Sequence, residues 1–113
     1  MHLRELVDEL ELVVKCGRQH LEVEVNRGYA SDLMSDVIAN ACEGDLWITL
    51  QIHLNIVAVA SMRDLCGIVL INGRDPEATT TEKAESEGMP ILVSQLPAFE
   101  LIGRLYELGV SGI

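Results

Sequence analysis

Basic residues are scarce in this chain of 113: eight lysines and arginines stand against 18 aspartates and glutamates, for a net charge of −10. Such a chain is repelled by phosphate backbones and anionic lipid headgroups, so no nucleic-acid partner is expected, and the charge reads first as solubility. Cysteine is scarce too. Cys16, Cys42 and Cys66 are odd in number, widely spaced and without a CxxC pair, which argues against a disulfide framework, a zinc site or a redox pair. Small buried thiols in a reducing compartment are the plain reading. No run approaches the roughly 20 apolar residues of a membrane span. The opening MHLRELVDELEL puts acids where a signal peptide needs an apolar run. The expectation is a soluble, cytoplasmic protein with no membrane partner. No glycine precedes a lysine, so there is no GxxxxGK[ST] loop, and GxGxxG is absent as well. A P-loop kinase and a dinucleotide enzyme are thereby excluded, and no cofactor or metal is expected.

What is abundant is apolar material, 49% of residues, enough for one domain spanning 1–113. Leu3, Leu6, Val7 and Leu10 recur at helical spacing and predict a helix over 3–10. Leu12-Val13-Val14 reads as a strand, with Gly17 marking a turn. Leu21, Val23 and Val25 alternate with Glu22, Glu24 and Asn26, which predicts a half-exposed edge strand. Gly28 to Ser31 reads as a loop, and Asp32 as the cap of a helix to about Ala41, closed by Gly44. Leu46-Trp47-Ile48, Gly67 to Ile71 and Ile91-Leu92-Val93 are continuous apolar runs of the kind that suit parallel strands covered on both faces. Between and after them come three helices. The first is small and apolar, from Asn55 to about Asp64. The second is polar and started by Pro76, and Gly88 ends it. The third is opened by Pro97, with Leu101, Ile102, Leu105 and Leu108 as its stripe and Gly109 at its end. Repeated strand–helix units imply an α/β fold: a single three-layer domain with a mostly parallel sheet.

Ligands of open parallel sheets bind off the carboxyl ends of the strands. Three loops qualify: Thr49 to Asn55, Asn72 to Asp75, and Ser94-Gln95. The first carries a row of polar residues, Thr49, Gln51, His53 and Asn55, alternating with apolar ones. It reads as a loop into a helix N-terminus with Asn55 as cap, or else as an edge-strand extension. Thr49, Gln51, His53, Asn55, Asn72, Gly73 and Arg74 form the candidate ligand site. Each has a plainer role: a strand-end hydroxyl, a structural histidine, a helix cap, or a turn pair that tolerates positive φ. Arg74 is the best anion binder of the set, or it pairs with Asp75 or Glu77. Ser31 or Ser35, His53 and Asp32 or Asp36 supply the residue types of a hydrolase triad. Without a GxSxG elbow no catalytic residue is assigned, and the chain is expected not to be an enzyme.

The stretch GIVLINGRDPEATTTEKAESEGMPILVSQLPAFELIGRL orders its strand, glycine turn, proline-started helix, EGMPIL and terminal helix as a DRTGG domain does. The chain resembles that family, found in phosphotransacetylases and beside CBS domains, and is similar to the N-terminal, non-catalytic domain of HPr kinase/phosphorylase. The likeness covers most of the chain and is firmest from Trp47 to Leu108. In the two signature segments Ile52-His53 stands at the DR positions and Ile71-Asn72-Gly73 at TGG, so only Gly73 matches. The resemblance implies a fold of the MurF/HPr kinase N-terminal-domain type and a regulatory or assembly module that self-associates, a homodimer. It also implies a link to energy or electron-transfer metabolism in anaerobic bacteria. Ile52, Leu54 and Val57 to Ala60 either supply the contacts of such a dimer or are simply core. The alternative function is a sensor of a small anionic ligand, nucleotide or metabolite.

Overall fold

The computed structural model describes residues 1–113. A sheet of five strands holds β1 (Val13–Cys16), β2 (Arg27–Ala30), β3 (Asp45–Thr49), β4 (Gly67–Leu70) and β5 (Ile91–Val93) in the order β1-β5-β4-β3-β2. β2 to β5 are parallel and β1 runs antiparallel to β5. Helices α1 (Leu3–Leu10), α2 (Met34–Asn40), α3 (Asn55–Met62), α4 (Ala78–Glu87) and α5 (Ala98–Glu107) complete the three layers.

Alternation along the strands divides the core in two. Leu46 and Ile48 of β3, Val69 of β4 and Leu92 of β5 face one layer, with Leu3 and Leu6 of α1 and Leu101 and Leu105 of α5. Trp47, Ile68, Leu70, Ile91 and Val93 face the other layer, with Val37 of α2, Ile56 and Val59 of α3 and Ala84 of α4. One face therefore carries three helices and the other only two. β3 and β4 are buried along their whole length, as continuous apolar runs require.

Two expectations for the first half fail. Residues 21–26 are not an edge strand. Leu21 and Val25 are buried, and their segment lies against the N-terminus, where the carbonyls of Val23 and Leu21 accept the otherwise unpaired N–H groups of Leu3 and Arg4. The sheet's edges are instead β1 and β2, the latter read from sequence as a loop. Gly28 lies over Ile48 and Val110, and Arg27 is there to hold Asp45. Asp45 is fully buried; its carboxylate accepts the Arg27 guanidinium at 2.9 Å and the Cys42 N–H at 2.7 Å. That hydrogen bonding raises the Arg27 pKa above its ordinary value.

Helix boundaries shift as well. Asp32 does not cap α2, which starts at Met34 with Leu33 before it. Asn55 is the first residue of α3, and His53 Nδ1 accepts the Asn55 N–H at 3.2 Å. α3 stops at Met62, and α4 starts two residues after Pro76, at Ala78. Val57, Val59 and Ala60 lie in the core of their own chain, so of the two sequence readings the core one holds for them. No helix is long and apolar enough to cross a membrane.

Candidate functional site

The carboxyl ends of β2, β3, β4 and β5 open onto one edge of the sheet, and the seven candidate residues lie along it. They do not form one cluster. Thr49 ends β3 and is buried; its hydroxyl donates to Asp32 Oδ1 at 2.8 Å and accepts the Gln51 N–H at 3.1 Å. The same Asp32 oxygen accepts the Leu50 N–H at 2.8 Å, and Gln51 Nε2 donates to the Asp32 carbonyl at 3.0 Å. Thr49, Gln51 and Asp32 thus lock the loops after β2 and β3 together. Sequence reasoning treated Asp32 as a cap because an acid just before a helix usually is one; its place one strand away from a buried threonine depends on the β2–β3 pairing.

Asn72 and Gly73 both take left-handed backbone conformations, at φ 56° and 65°. A side chain at Gly73 would also meet Gln95, with its Oε1 at 2.5 Å from the added carbon. Beyond the last ladder pair, the Asn72 N–H donates to the Leu96 carbonyl at 2.9 Å and the Gly73 N–H to that of Ser94 at 2.8 Å. The loops after β4 and β5 are thereby stitched to each other. Between the two stitched pairs, Ile52 carries its carbonyl to Thr80 Oγ, 2.7 Å away, and to the Glu77 N–H.

His53, Asn55, Asn72 and Arg74 are exposed on this edge. Arg74 pairs with neither Asp75 nor Glu77; Asp75 is taken by Lys15 at 2.9 Å. One guanidinium free of ion pairs and one imidazole are the groups this edge offers to an anion. No hydrogen bond joins His53 to a serine or an aspartate; its Nδ1 accepts the Asn55 N–H. Asp36 accepts from Tyr29 and Asn40 at 2.8 and 2.9 Å. Hydrogen bonding from Tyr29, and then from Ser31, holds its carboxyl below the ordinary value, while the Ser31 hydroxyl also accepts the Leu33 N–H.

None of the molecule's four cavities is lined by the seven candidates. A mainly apolar cavity of about 250 Å³ lies instead beside α5, on the face with two helices. Gly28, Ala30, Ile48, Ile102, Tyr106 and Val110 are among its walls. Residues on its flank went unnoticed in the sequence. Phe99 is 94% exposed and Tyr106 55%. Their signal was a helix whose apolar residues cover far more than one face.

No family model matches the chain, and no curated protein matches it. Among solved structures, it is similar to the CBS and DRTGG domains of the regulatory region of Clostridium perfringens pyrophosphatase, complexed with its activator, diadenosine tetraphosphate. The TM-score is 0.72 at 15% identity, over 92% of this chain. The fold is DRTGG-like. The likeness is one of fold, and this chain corresponds to 45% of that longer one. In the signature loops, His53, a departure, sits where it receives the first N–H of α3, and Gly73, the one match, keeps the left-handed turn.

Proposed function

We propose that this DRTGG-like chain is a non-catalytic regulatory module that works by self-association. The observation that carries the reading is the flank of α5, where Phe99 is almost wholly exposed, Tyr106 is half exposed and Ile102 lines a mainly apolar cavity. Exposed apolar patches on an otherwise charged protein mark contact surfaces. The regulatory part leans on the fold's occurrence in a regulatory region. The non-catalytic part leans on the strand-end polar residues being used to tie loops to one another. The link to electron-transfer metabolism has only the sequence resemblance behind it. Sedimentation velocity across a concentration series tests the proposal: a reversible dimer is expected, and a monomer at every concentration would reject self-association.

A second reading is a sensor of an anionic ligand at the carboxyl edge, held by Arg74 and His53 beside the Asn72-Gly73 turn. What favours it is that Arg74 is exposed and has no ion pair, together with the nucleotide activator of the structurally similar protein. Calorimetric titration with diadenosine tetraphosphate and with inorganic phosphate tests it. Binding that Arg74→Ala abolishes is the expected result; heats equal to dilution for both would remove the reading.

A further inference from the structure

The sheet's two edges are finished differently. On β1 the Arg18 guanidinium donates to the Val14 carbonyl at 3.1 Å, and Lys15 adds a charge, which are ordinary ways of blunting an edge. On β2 the Ser31 N–H donates inward, to the Ile48 carbonyl at 3.2 Å, while the Gly28 N–H donates outward, to the Ser111 carbonyl at 2.9 Å. Alternation along the strand turns the Ala30 N–H and C=O outward as well. Ser111 runs beside Gly28, but no segment of the chain runs beside Ala30, and neither of its backbone groups has a partner. Ala30 is exposed. This edge therefore offers one donor and one acceptor side by side.

Ala30 also belongs to the cavity beside α5. Gly28, Ala30 and Ile48 wall that cavity from the sheet, and Ile102 and Tyr106 wall it from the helix. The Tyr106 hydroxyl accepts the Gly112 N–H at 3.0 Å, which fixes its ring in place. None of the ten lining residues is charged. In a chain of net charge −10, such a cavity has nothing to hold a phosphate or a carboxylate. At about 250 Å³ it lies just below the ~300–1,000 Å³ of drug-sized sites, which leaves room for one ring system. Apolar walls with a few placed polar groups are how small-molecule sites bind and orient what they hold.

We infer that this cavity binds an uncharged planar ring compound that carries a hydrogen-bond acceptor beside a donor, the edge chemistry shared by lactams and nucleobases. The acceptor takes the Ala30 N–H, the donor gives to the Ala30 carbonyl, and the ring lies among Ile48, Ile102 and Val110. The compound pairs with the edge as the main chain of an added strand does. The inference goes beyond the proposed function and does not rest on it, since binding is read whether or not the chain dimerises. The site is also separate from Arg74 and His53 at the carboxyl edge.

The test is an NMR titration of the full chain that follows the amides of Gly28, Ala30 and Gly112. The probes are isoquinolone, a lactam, and adenine, a nucleobase. The controls are N-methyl isoquinolone, which has lost the donor, and naphthalene, which has lost both groups. Isoquinolone and adenine should shift these amides, and the tighter of the two names the source. Both controls should bind at least about tenfold more weakly, as the loss of a hydrogen bond to the edge implies. Gly28→Val should abolish the shifts by filling the cavity. Its added Cβ would meet Ile48 and Val110 at 3.6 and 3.7 Å, ordinary contact distances, and Trp47 emission checks its fold. Ile102→Trp fills the cavity from the helix side and serves as the second blocking variant. If neither probe moves these amides at millimolar concentration, the cavity is not a ligand site. Naphthalene binding as tightly as isoquinolone overturns the pairing with Ala30. Shifts that persist in a folded blocking variant overturn the site itself.

Discussion

The carboxyl edge of the sheet and the flank of α5 are opposites. At the edge, polar groups are abundant and mostly consumed: Thr49, Asp32 and Gln51 satisfy one another, and no buried side-chain nitrogen or oxygen in the molecule lacks a partner. On the flank, apolar groups are abundant and stay partly exposed, Phe99 almost wholly so. The difference teaches where to look for function in a small domain. A row of polar residues in an apolar context catches the eye in a sequence, yet it can serve the fold alone. A tolerated but unexplained cost, such as a mid-helix glycine beside an exposed phenylalanine, points outward.

The contrast can be broken or sharpened by substitution. The largest loss should come from Arg27→Ala, which leaves the fully buried Asp45 carboxylate with only the Cys42 N–H. About 3–5 kcal/mol is expected in urea unfolding, the usual cost of stranding a buried charge. Asp32→Ala should cost about 1–3 kcal/mol by the same measurement, since it orphans the buried Thr49 hydroxyl and the Leu50 N–H; a neutral result would mean the edge is not held by these bonds. Gly103→Ala should raise stability by up to about 1 kcal/mol in the same unfolding measurement, since a side chain there would meet nothing within 4 Å. Phe99→Ala should leave monomer stability within about 0.5 kcal/mol of wild type; a larger loss would place Phe99 in the fold after all.

The thiols provide a pH test. Burial pushes Cys16 up to about 11 and Cys66 up to about 12. In the unfolded chain both lose protons near the ordinary 9.0. Their contribution to stability is therefore complete below that value and declines as pH rises from there toward about 11 and about 12. At pH 8 a thiol reagent should modify one cysteine per native chain, the exposed Cys42; rapid reaction of all three would contradict the burial.

The second half of the fold was legible because β3, β4 and β5 are buried on both faces, and burial on both faces writes itself as an unbroken apolar run. β2 was not legible. An edge strand whose positions on the α5 face are Gly28 and Ala30 has no apolar alternation to show, and its identity depends on the distant Asp45 that Arg27 must reach. The segment before it, Leu21 to Val25, shows a strand's alternation while serving as a cover for α1. At the candidate site, the Asn72-Gly73 turn could be read because left-handed backbone has few suitable residues. The Thr49–Asp32 bond could not, because it joins residues 17 apart across two strands. On α5 the core stripe was readable, and the surplus apolar arc was visible in the same residues but went unremarked.

Trp47 is the chain's sole tryptophan, fully enclosed, with its indole N–H on the Ser31 carbonyl at 2.8 Å. It lies on the layer opposite α5. The molecule thus carries a built-in optical reporter of its own folding, one that a contact on the α5 flank would not reach. Its emission should sit at the short wavelengths of a dry indole and shift to the red only when the sheet comes apart. Diluting the protein and denaturing it, which scattering alone would confuse, are separable by colour.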